Sequence, residues 1–342
     1  MKKLNKVLIL GVAVASVLTS GMFLSACKKK PVETPITIQT EEGVVLSRYK
    51  HETSWTVSNF SHDMTITIPD EYNEIPVTKI RNGAKVPVEA RTVTVGKNIT
   101  LLSPGLFEES VHLTRLDYNA VDAQIYDDQS GQIVPIFSNK TGSELEGFIL
   151  NIGEEVEKIP DNFMVATESI GNIINNGQLR PYYIMPNLIE INFAENAILK
   201  EIGAYAFVAC NKINQTLELP ETVESIGDYA FAFSGVSGVL NLTENLNIIG
   251  ASAFWNSNIT RVEINSNIST IWSQAFEATT MQGIVINNAE FASSDSIVLF
   301  TEESSYPNYY IIKNIALNAN FTANKDYQGD VTIGGVEYYH YK

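Results

Sequence analysis

The sequence predicts a solenoid, a β-rich right-handed coil with few short helices that is capped by β structure at both ends. One observation is a repeated phrase, I-G-x-x-A-F, present in three intact copies and one degenerate copy. Its isoleucines are Ile202, Ile226, Ile249 and Ile271, which are 24, 23 and 22 residues apart. A second observation is an alternating apolar stretch that ends seven residues before the isoleucine in three consecutive units, at Leu219, Leu242 and Ile264. Two constant offsets at a fixed period indicate stacked repeats.

A period near 23 residues lies in the range of leucine-rich repeats, so the α/β horseshoe class is the predicted fold class. In the stretch L-E-L the two leucines point into the core and the middle residue points outward, because side chains alternate along a strand. The isoleucine, alanine and phenylalanine of the phrase add to the core from the turn and the return segment. The glycines Gly203, Gly227 and Gly250 allow a tight or positive-φ backbone. One unit cannot bury its apolar face alone, so the units must stack.

Degenerate copies with the same offset extend the repeat upstream. The predicted organisation is a signal peptide at 1–26, a lipidated cysteine and tether at 27–40, an N-terminal β cap at 41–63, the repeats at 64–288 and a C-terminal β cap at 289–342. Two segments break the period, 120–141 and 166–183, and are predicted to be loops on one edge. The final stretch predicts a hairpin around Gly334 and Gly335, because a two-residue glycine turn suits that geometry.

The N-terminus has the features of a secretory signal: three lysines, an apolar run and small residues before Cys27. The stretch L-S-A-C resembles the lipobox of bacterial lipoproteins, a family in which the chain is cut before the cysteine and the cysteine is acylated. An uncleaved membrane anchor is the alternative, because the apolar run is nearly long enough to span a bilayer. With Cys27 acylated, Cys210 has no disulfide partner, and we expect a small buried apolar side chain there.

The phrases L-P-E-T-V-E-S-I-G-D-Y-A-F-A-F-S-G and I-T-I-P-D-E-Y-N-E-I-P-V-T-K-I resemble the BspA-like leucine-rich repeats of bacterial surface proteins. In that family a Cys or small residue follows three positions after the aromatic residue. Here those positions hold Cys210, Ser234, Ser257 and Thr279. The resemblance covers about residues 45 to 288 and departs from the family at Trp272, where glycine is usual, and at the two insertions. The resemblance implies attachment to host or neighbouring-cell surface proteins.

Composition and motifs argue against several other functions. The formal net charge of −16 argues against nucleic-acid binding, which depends on basic groups that neutralise phosphates. None of the four histidines has metal-site spacing, and no nucleophile elbow, P-loop or dinucleotide-binding motif occurs. We therefore expect no catalytic residues, metal or cofactor. Acid pairs such as Asp127 and Asp128 are better explained as a solvated acidic surface than as a glycosidase pair or a calcium site.

Two sets of residues are candidates for ligand contact. The first set consists of outward strand positions that should form one ladder across the sheet face, where solenoids usually bind partners. Its members are Thr94, Asp117, Asn151, Asn192, Glu218, Asn241 and Glu263, with Val285 at the end of the ladder. The second set is aromatic and lies on the return side. Its members are Tyr205, Tyr229, Phe233, Trp255 and Trp272. Core packing is the better explanation for most of the aromatic set, whereas Trp272 replaces a glycine and must point elsewhere.

The prediction is a lipid-anchored protein of the bacterial cell envelope, exposed at the surface, that binds an extracellular protein partner such as host matrix. The alternative is a carbohydrate-binding or glycan-utilisation accessory lipoprotein, with a site at exposed aromatics such as Trp272 and the inserted loops carrying Asp127 and Asp128. A structural envelope protein without a soluble ligand is a third option. The fold resemblance does not indicate which of these partners is bound.

Overall fold

The computed structural model describes residues 33–125, 134–166, 187–265, 268–272, 274–277, 279, 283–287, 308–312, 327–333 and 336–341. Within these ranges the secondary structure consists of strands and turns, with no helix, so the return segments are turns where the sequence allowed a few short helices. In chain order the strands are β1 (Ile36–Gln39), β2 (Val44–Arg48), β3 (Trp55–Phe60), β4 (Thr65–Thr67), β5 (Glu71–Tyr72), β6 (Ile75–Ile80), β7 (Thr92–Val95), β8 (Leu101–Leu102), β9 (Arg115–Tyr118), β10 (Gln124–Ile125), β11 (Phe148–Ile152), β12 (Lys158–Ile159), β13 (Leu188–Phe193), β14 (Glu201–Ile202), β15 (Ser225–Ile226), β16 (Ser237–Leu242), β17 (Ile248–Ile249), β18 (Asn258–Ile264), β19 (Thr270–Ile271), β20 (Gly283–Ile286), β21 (Asn308–Ile312), β22 (Tyr327–Ile333) and β23 (Val336–Tyr341).

The long strands form one face of a β-solenoid, which confirms the predicted stacking of coils. Five of them lie in parallel in the order β13-β11-β9-β7-β4, and six more follow in the order β16-β18-β20-β21-β23-β22. Parallel pairing holds as far as β21, after which β22 and β23 form an antiparallel hairpin. Inward residues such as Val93, Val95, Leu116 and Leu150 are buried, as the alternation of strand side chains requires.

The short strands form a second face. The two-residue strands β12, β14, β15, β17 and β19 pair in parallel in that order, and the second residue of each is an isoleucine buried in the core. At the start of the chain, β1, β2 and β3 are antiparallel, and β3 then pairs in parallel with β6. The same sheet continues through β8 and β10. That the N-terminal strands and the C-terminal hairpin act as caps stays a prediction.

The return turns stack as a third side. Successive coils are joined there by backbone hydrogen bonds, for example from Phe207 N to Ala230 O at 2.7 Å and from Phe231 N to Ala253 O at 2.7 Å. The phenylalanine rings beneath these bonds stack from coil to coil, with centroids 5.1 Å apart for Phe207 and Phe231 and 5.3 Å apart for Phe231 and Phe254. The A-F pair of each phrase therefore forms a continuous buried column, which accounts for its repetition.

The glycines of the phrase are required by close approach and not by positive φ. Positive φ occurs two residues later, at Tyr205 (57°) and Tyr229 (55°). A Cβ atom on Gly227 would lie 2.5 Å from Ala204 N of the preceding coil, and one on Gly203 would lie 2.6 Å from Asp161 N. Of the two alternatives that the sequence left open, positive φ is wrong and the tight backbone is observed, because the missing side chain serves the stacking of one coil backbone on another.

The first insertion, 120–141, is not simply a loop. Its described residues include β10 and the fully buried Ile136 and Phe137. Phe137 stacks on Phe107 with ring centroids 4.8 Å apart, so it occupies the place of the repeated phenylalanine in its coil. The repeat period cannot be recognised from the sequence of this segment because the residues before Phe137 lack the usual phrase. Most of the second insertion, 167–183, lies outside the described residues.

The long-strand face is divided between β13 and β16. Leu217 and Leu219 are buried, as predicted, but residues 217–219 form no strand. Instead the Gln215 side-chain amide occupies the edge of β13: its Oε1 accepts from Ile191 N and its Nε2 donates to Ile191 O, both at 2.8 Å. A side chain thus replaces one peptide unit of the sheet, and the predicted strand at Leu219 is wrong for this coil.

Candidate functional site

The outward strand positions predicted as a ladder face one another in the sheet register. Thr94 pairs with Asp117, Asp117 with Asn151, and Asn151 with Asn192. In the second group of long strands, Asn241 pairs with Glu263. Neighbouring strands lie about 4.8 Å apart, so these side chains form closely spaced rows on the outer surface.

The first row is a hydrogen-bonded unit, which we call the amide ladder: Asp117, Asn151 and Asn192. Asn151 Nδ2 donates to Asp117 Oδ1 at 2.7 Å, and Asn192 Nδ2 donates to Asn151 Oδ1 at 3.1 Å. These bonds fix the planes of the three side chains relative to one another. They also hold the ladder ready for a ligand, since less side-chain freedom is lost on binding.

Two charged residues outside the predicted set flank the amide ladder. Arg115 Nε donates to both carboxylate oxygens of Asp117, at 2.8 and 3.0 Å. The hydrogen bond and the charge of Asp117 raise the pKa of Arg115, so the guanidinium stays charged. On β13, Glu190 Oε1 accepts a second bond from Asn192 Nδ2 at 2.8 Å. Both residues lie two positions before a ladder residue on the same strand, and that alternation is the signal that could have identified them.

A shallow depression of about 380 Å³ lies over the amide ladder. Thr94, Arg115 and the ladder residues form its polar side, and the partly buried Phe193 contributes an apolar wall. The volume falls within the range of about 300–1,000 Å³ that is usual for small-ligand sites. Four of the predicted face residues therefore converge on one concave surface.

The second row is shorter than predicted. Asn241 is exposed, and Glu263 forms an ion pair with Arg261 through Nη2 and Oε1 at 2.8 Å. Val285 is only 3% exposed, so its predicted outward, accessible position is wrong. The C-terminal hairpin contacts the end of the same strand, because the buried Tyr338 donates a hydrogen bond to Asn287 Oδ1 at 2.9 Å.

Glu218 lies between the two rows, at the division of the face. Its side chain is exposed, and among the described residues none forms a hydrogen bond or ion pair with it. The two rows and Glu218 thus make a face with two arginine–carboxylate pairs and one exposed carboxylate between them.

The aromatic candidates separate into packed and exposed residues. The rings of Tyr205 and Tyr229 stack with centroids 5.0 Å apart, and the ring centroids of Phe233 and Trp255 are also 5.0 Å apart. All four are partly buried against the core, as predicted for most of the set. Trp272 is 57% exposed, because a side chain at the glycine position cannot point toward the preceding coil.

Several predicted features lie elsewhere. Cys27, Asp127 and Asp128 are outside the described residues. Cys210 is buried and has no disulfide partner among the residues that the structure describes, and burial raises the pKa of its thiol. Across the described ranges no group of three or more His, Cys, Asp or Glu residues could hold a metal ion. The same ranges contain no helix long and apolar enough to cross a membrane.

Comparison with protein families identifies the repeat. The family model described as a BspA type leucine rich repeat region matches residues 173–306 in 6 copies. This match confirms the BspA-like resemblance predicted from the repeated phrases. Among curated proteins, none matches the chain.

Solved structures of bacterial leucine-rich-repeat proteins are similar to the chain at low identity. The T. pallidum leucine-rich-repeat protein TpLRR is 12% identical, with 72% of this chain and 85% of that chain covered and a TM-score of 0.35. A Bacteroides ovatus leucine-rich-repeat protein is 13% identical, with 80% and 78% covered and a TM-score of 0.31. The pneumococcal vaccine antigen PcpA is 14% identical, with 82% and 95% covered and a TM-score of 0.31.

Proposed function

We propose that this chain, which carries BspA-type leucine-rich repeats, is a lipid-anchored bacterial surface protein that binds a protein of the host or of a neighbouring cell without catalysing a reaction. A leucine-rich-repeat solenoid is a binding scaffold, because stacking leaves an extended sheet face available to a partner. The observation that carries the proposal is the row of outward polar side chains in strand register, with a depression over the amide ladder.

The exposed position of Glu218 makes it the sharpest probe of this face. In Glu218→Lys, we expect a partner's affinity to fall by about tenfold, which corresponds to about 1.4 kcal/mol. A group of the partner that pairs with the Glu218 carboxylate would then face a like charge. Thermal stability should not change, since the side chain is exposed. Glu263→Lys should also weaken binding, with an added loss of the Arg261 ion pair.

Glu224→Lys is the matched control, because Glu224 is also exposed and lies in the same coil, just before the short strand β15 on the other face. The measurement is surface plasmon resonance against panels of host-matrix and bacterial-surface proteins. Equal affinity of the Glu218→Lys variant and the wild type for every partner found would place the binding site elsewhere.

The lipid anchor is a separate part of the proposal and rests on the L-S-A-C stretch. Cys27→Ser should release the protein from the membrane or leave it unprocessed, because the acyl chains that hold it would have no attachment site. Membrane fractionation and the mass of the chain measure both outcomes. A variant that is still cut and still membrane-bound would show that the anchor is not a lipidated cysteine.

A further inference from the structure

The chemistry of the depression over the amide ladder selects a class of ligand. Asp117 is the one carboxylate of its lining residues, and its side chain is only 18% exposed. Arg115 forms an ion pair with it at 2.8 Å, so the pair is close to neutral overall. A cationic ligand would have to displace Arg115, and an anionic ligand would meet both Asp117 and the nearby Glu190. The charges therefore favour a neutral ligand.

Donors and acceptors lie side by side in the depression. Asn192 Nδ2 uses both of its donor positions, on Asn151 and Glu190, which leaves Asn192 Oδ1 as an acceptor. Asn151 Nδ2 uses one donor on Asp117, and Arg115 uses Nε, which leaves its two Nη groups as donors. A hydroxyl group both donates and accepts, so a ligand with several neighbouring hydroxyls fits this alternation.

The apolar side of the depression completes the match. Phe193 is one of the lining residues and is partly buried against the core, so an apolar group borders the polar floor. A sugar ring presents the same division, with hydroxyls at its edge and a C–H face. We infer that the depression over the amide ladder binds a neutral sugar residue. This rests on the proposed function in that the sugar would be borne by the partner protein.

The experiment titrates the full-length protein, labelled with 15N-asparagine, with methyl glycosides of glucose, galactose, mannose and N-acetylglucosamine. Sialic acid and glucosamine serve as anionic and cationic controls. We expect saturable shifts of the side-chain amide signals of Asn151 and Asn192 with at least one neutral glycoside and none with the charged sugars. Asn192→Ala should lower the affinity by about tenfold or more, through loss of the Oδ1 acceptor and of the ordering of Asn151.

Two variants serve as matched controls. Asn241→Ala removes an amide from the second row, and Trp272→Ala removes the exposed indole on the other side of the coil; neither residue lines the depression. Both should bind the glycoside as the wild type does.

Thr94→Val removes a lining hydroxyl at constant shape, so a loss of affinity there supports the inference even where Asn192→Ala lowers stability.

Three results would overturn the inference: no saturable shift with any neutral glycoside, shifts with the charged sugars alone, or binding lost in Trp272→Ala and retained in Asn192→Ala. The proposed function is judged separately. A partner that binds equally well after its glycans are removed, and that is weakened by Glu218→Lys, contradicts the sugar site and supports protein binding. Glycoside binding in the absence of any protein partner that Glu218→Lys weakens supports the sugar site and contradicts the proposed protein binding.

Discussion

Replacing Gly227 by alanine tests whether coil-on-coil contact is what the repeated phrase encodes. The added Cβ would lie 2.5 Å from Ala204 N, 2.8 Å from Ala204 Cα and 2.8 Å from Gly203 C. Non-bonded carbon contacts are comfortable at about 3.5–4.0 Å, so the two coils must separate locally by about 1 Å. All three atoms belong to backbone, and no side chain can rotate away to make room.

The cost follows from three contributions. Overpacking typically costs about 1–3 kcal/mol, and rigid backbone neighbours favour the upper end. The bond from Gly227 N to Ile202 O, 2.8 Å long, is stretched by the same movement and contributes about 1 kcal/mol. Alanine also reduces the conformational entropy of the unfolded chain, which raises the free energy of unfolding by about 0.4–1 kcal/mol and offsets part of the loss. We therefore expect Gly227→Ala to lower the free energy of unfolding by about 3 kcal/mol.

Urea unfolding followed by circular dichroism measures this loss, with Gly83→Ala as the control. Gly83 has a φ of +83°, and a Cβ there would meet nothing within 4 Å. Only backbone strain acts at that position, so the control should lose about 1 kcal/mol. If Gly227→Ala costs no more than Gly83→Ala, close approach of the coils is not the reason for the glycine, and the reasoning fails.

Three further predictions concern buried groups. Gln215→Ala should lower the free energy of unfolding by about 1–3 kcal/mol in urea, because the N–H and C=O of the buried Ile191 lose their partner; an unchanged midpoint would contradict the bridging role. Tyr118→Phe should raise stability by about 1 kcal/mol in the same assay, because the buried Tyr118 hydroxyl has no hydrogen-bond partner in the described part of the chain; a clear loss would mean that the hydroxyl has a partner. Cys210 should resist a thiol reagent at pH 8 in the native protein and react on unfolding, because burial raises the pKa of its thiol; fast native labelling would contradict this burial.

The positions that could be predicted from sequence are those set by the period of the strands. Because side chains alternate and the repeat is constant, the residue between two inward positions must point outward, and Asp117, Asn151 and Asn192 do face one another. The same rule could have identified Arg115 and Glu190, which lie two residues earlier on their strands. Their hydrogen bonds to the ladder depend on rotamers, which a pattern of residue types does not specify.

The predictions failed where a different residue, segment or backbone arrangement can fill the same structural role. Gln215 supplies an amide from its side chain, so Leu217 and Leu219 stay buried while no strand forms. Phe137 fills the aromatic column from within an apparent insertion, because the column requires the ring and not the surrounding phrase. Glycine likewise permits either positive φ or close approach, and only the stacked backbones distinguish the two.

Photo-cross-linking from the long-strand face tests the central claim most directly. A photoreactive amino acid is placed at Asn241, which is exposed on the long-strand face outside the depression, or at Glu224, which is exposed in the preceding coil next to the short-strand face. Both variants are irradiated with the partner protein selected by surface plasmon resonance. The account predicts cross-links to the partner from position 241 and none from position 224. Cross-links from position 224 alone, or equally from both, would contradict a binding surface on the long-strand face.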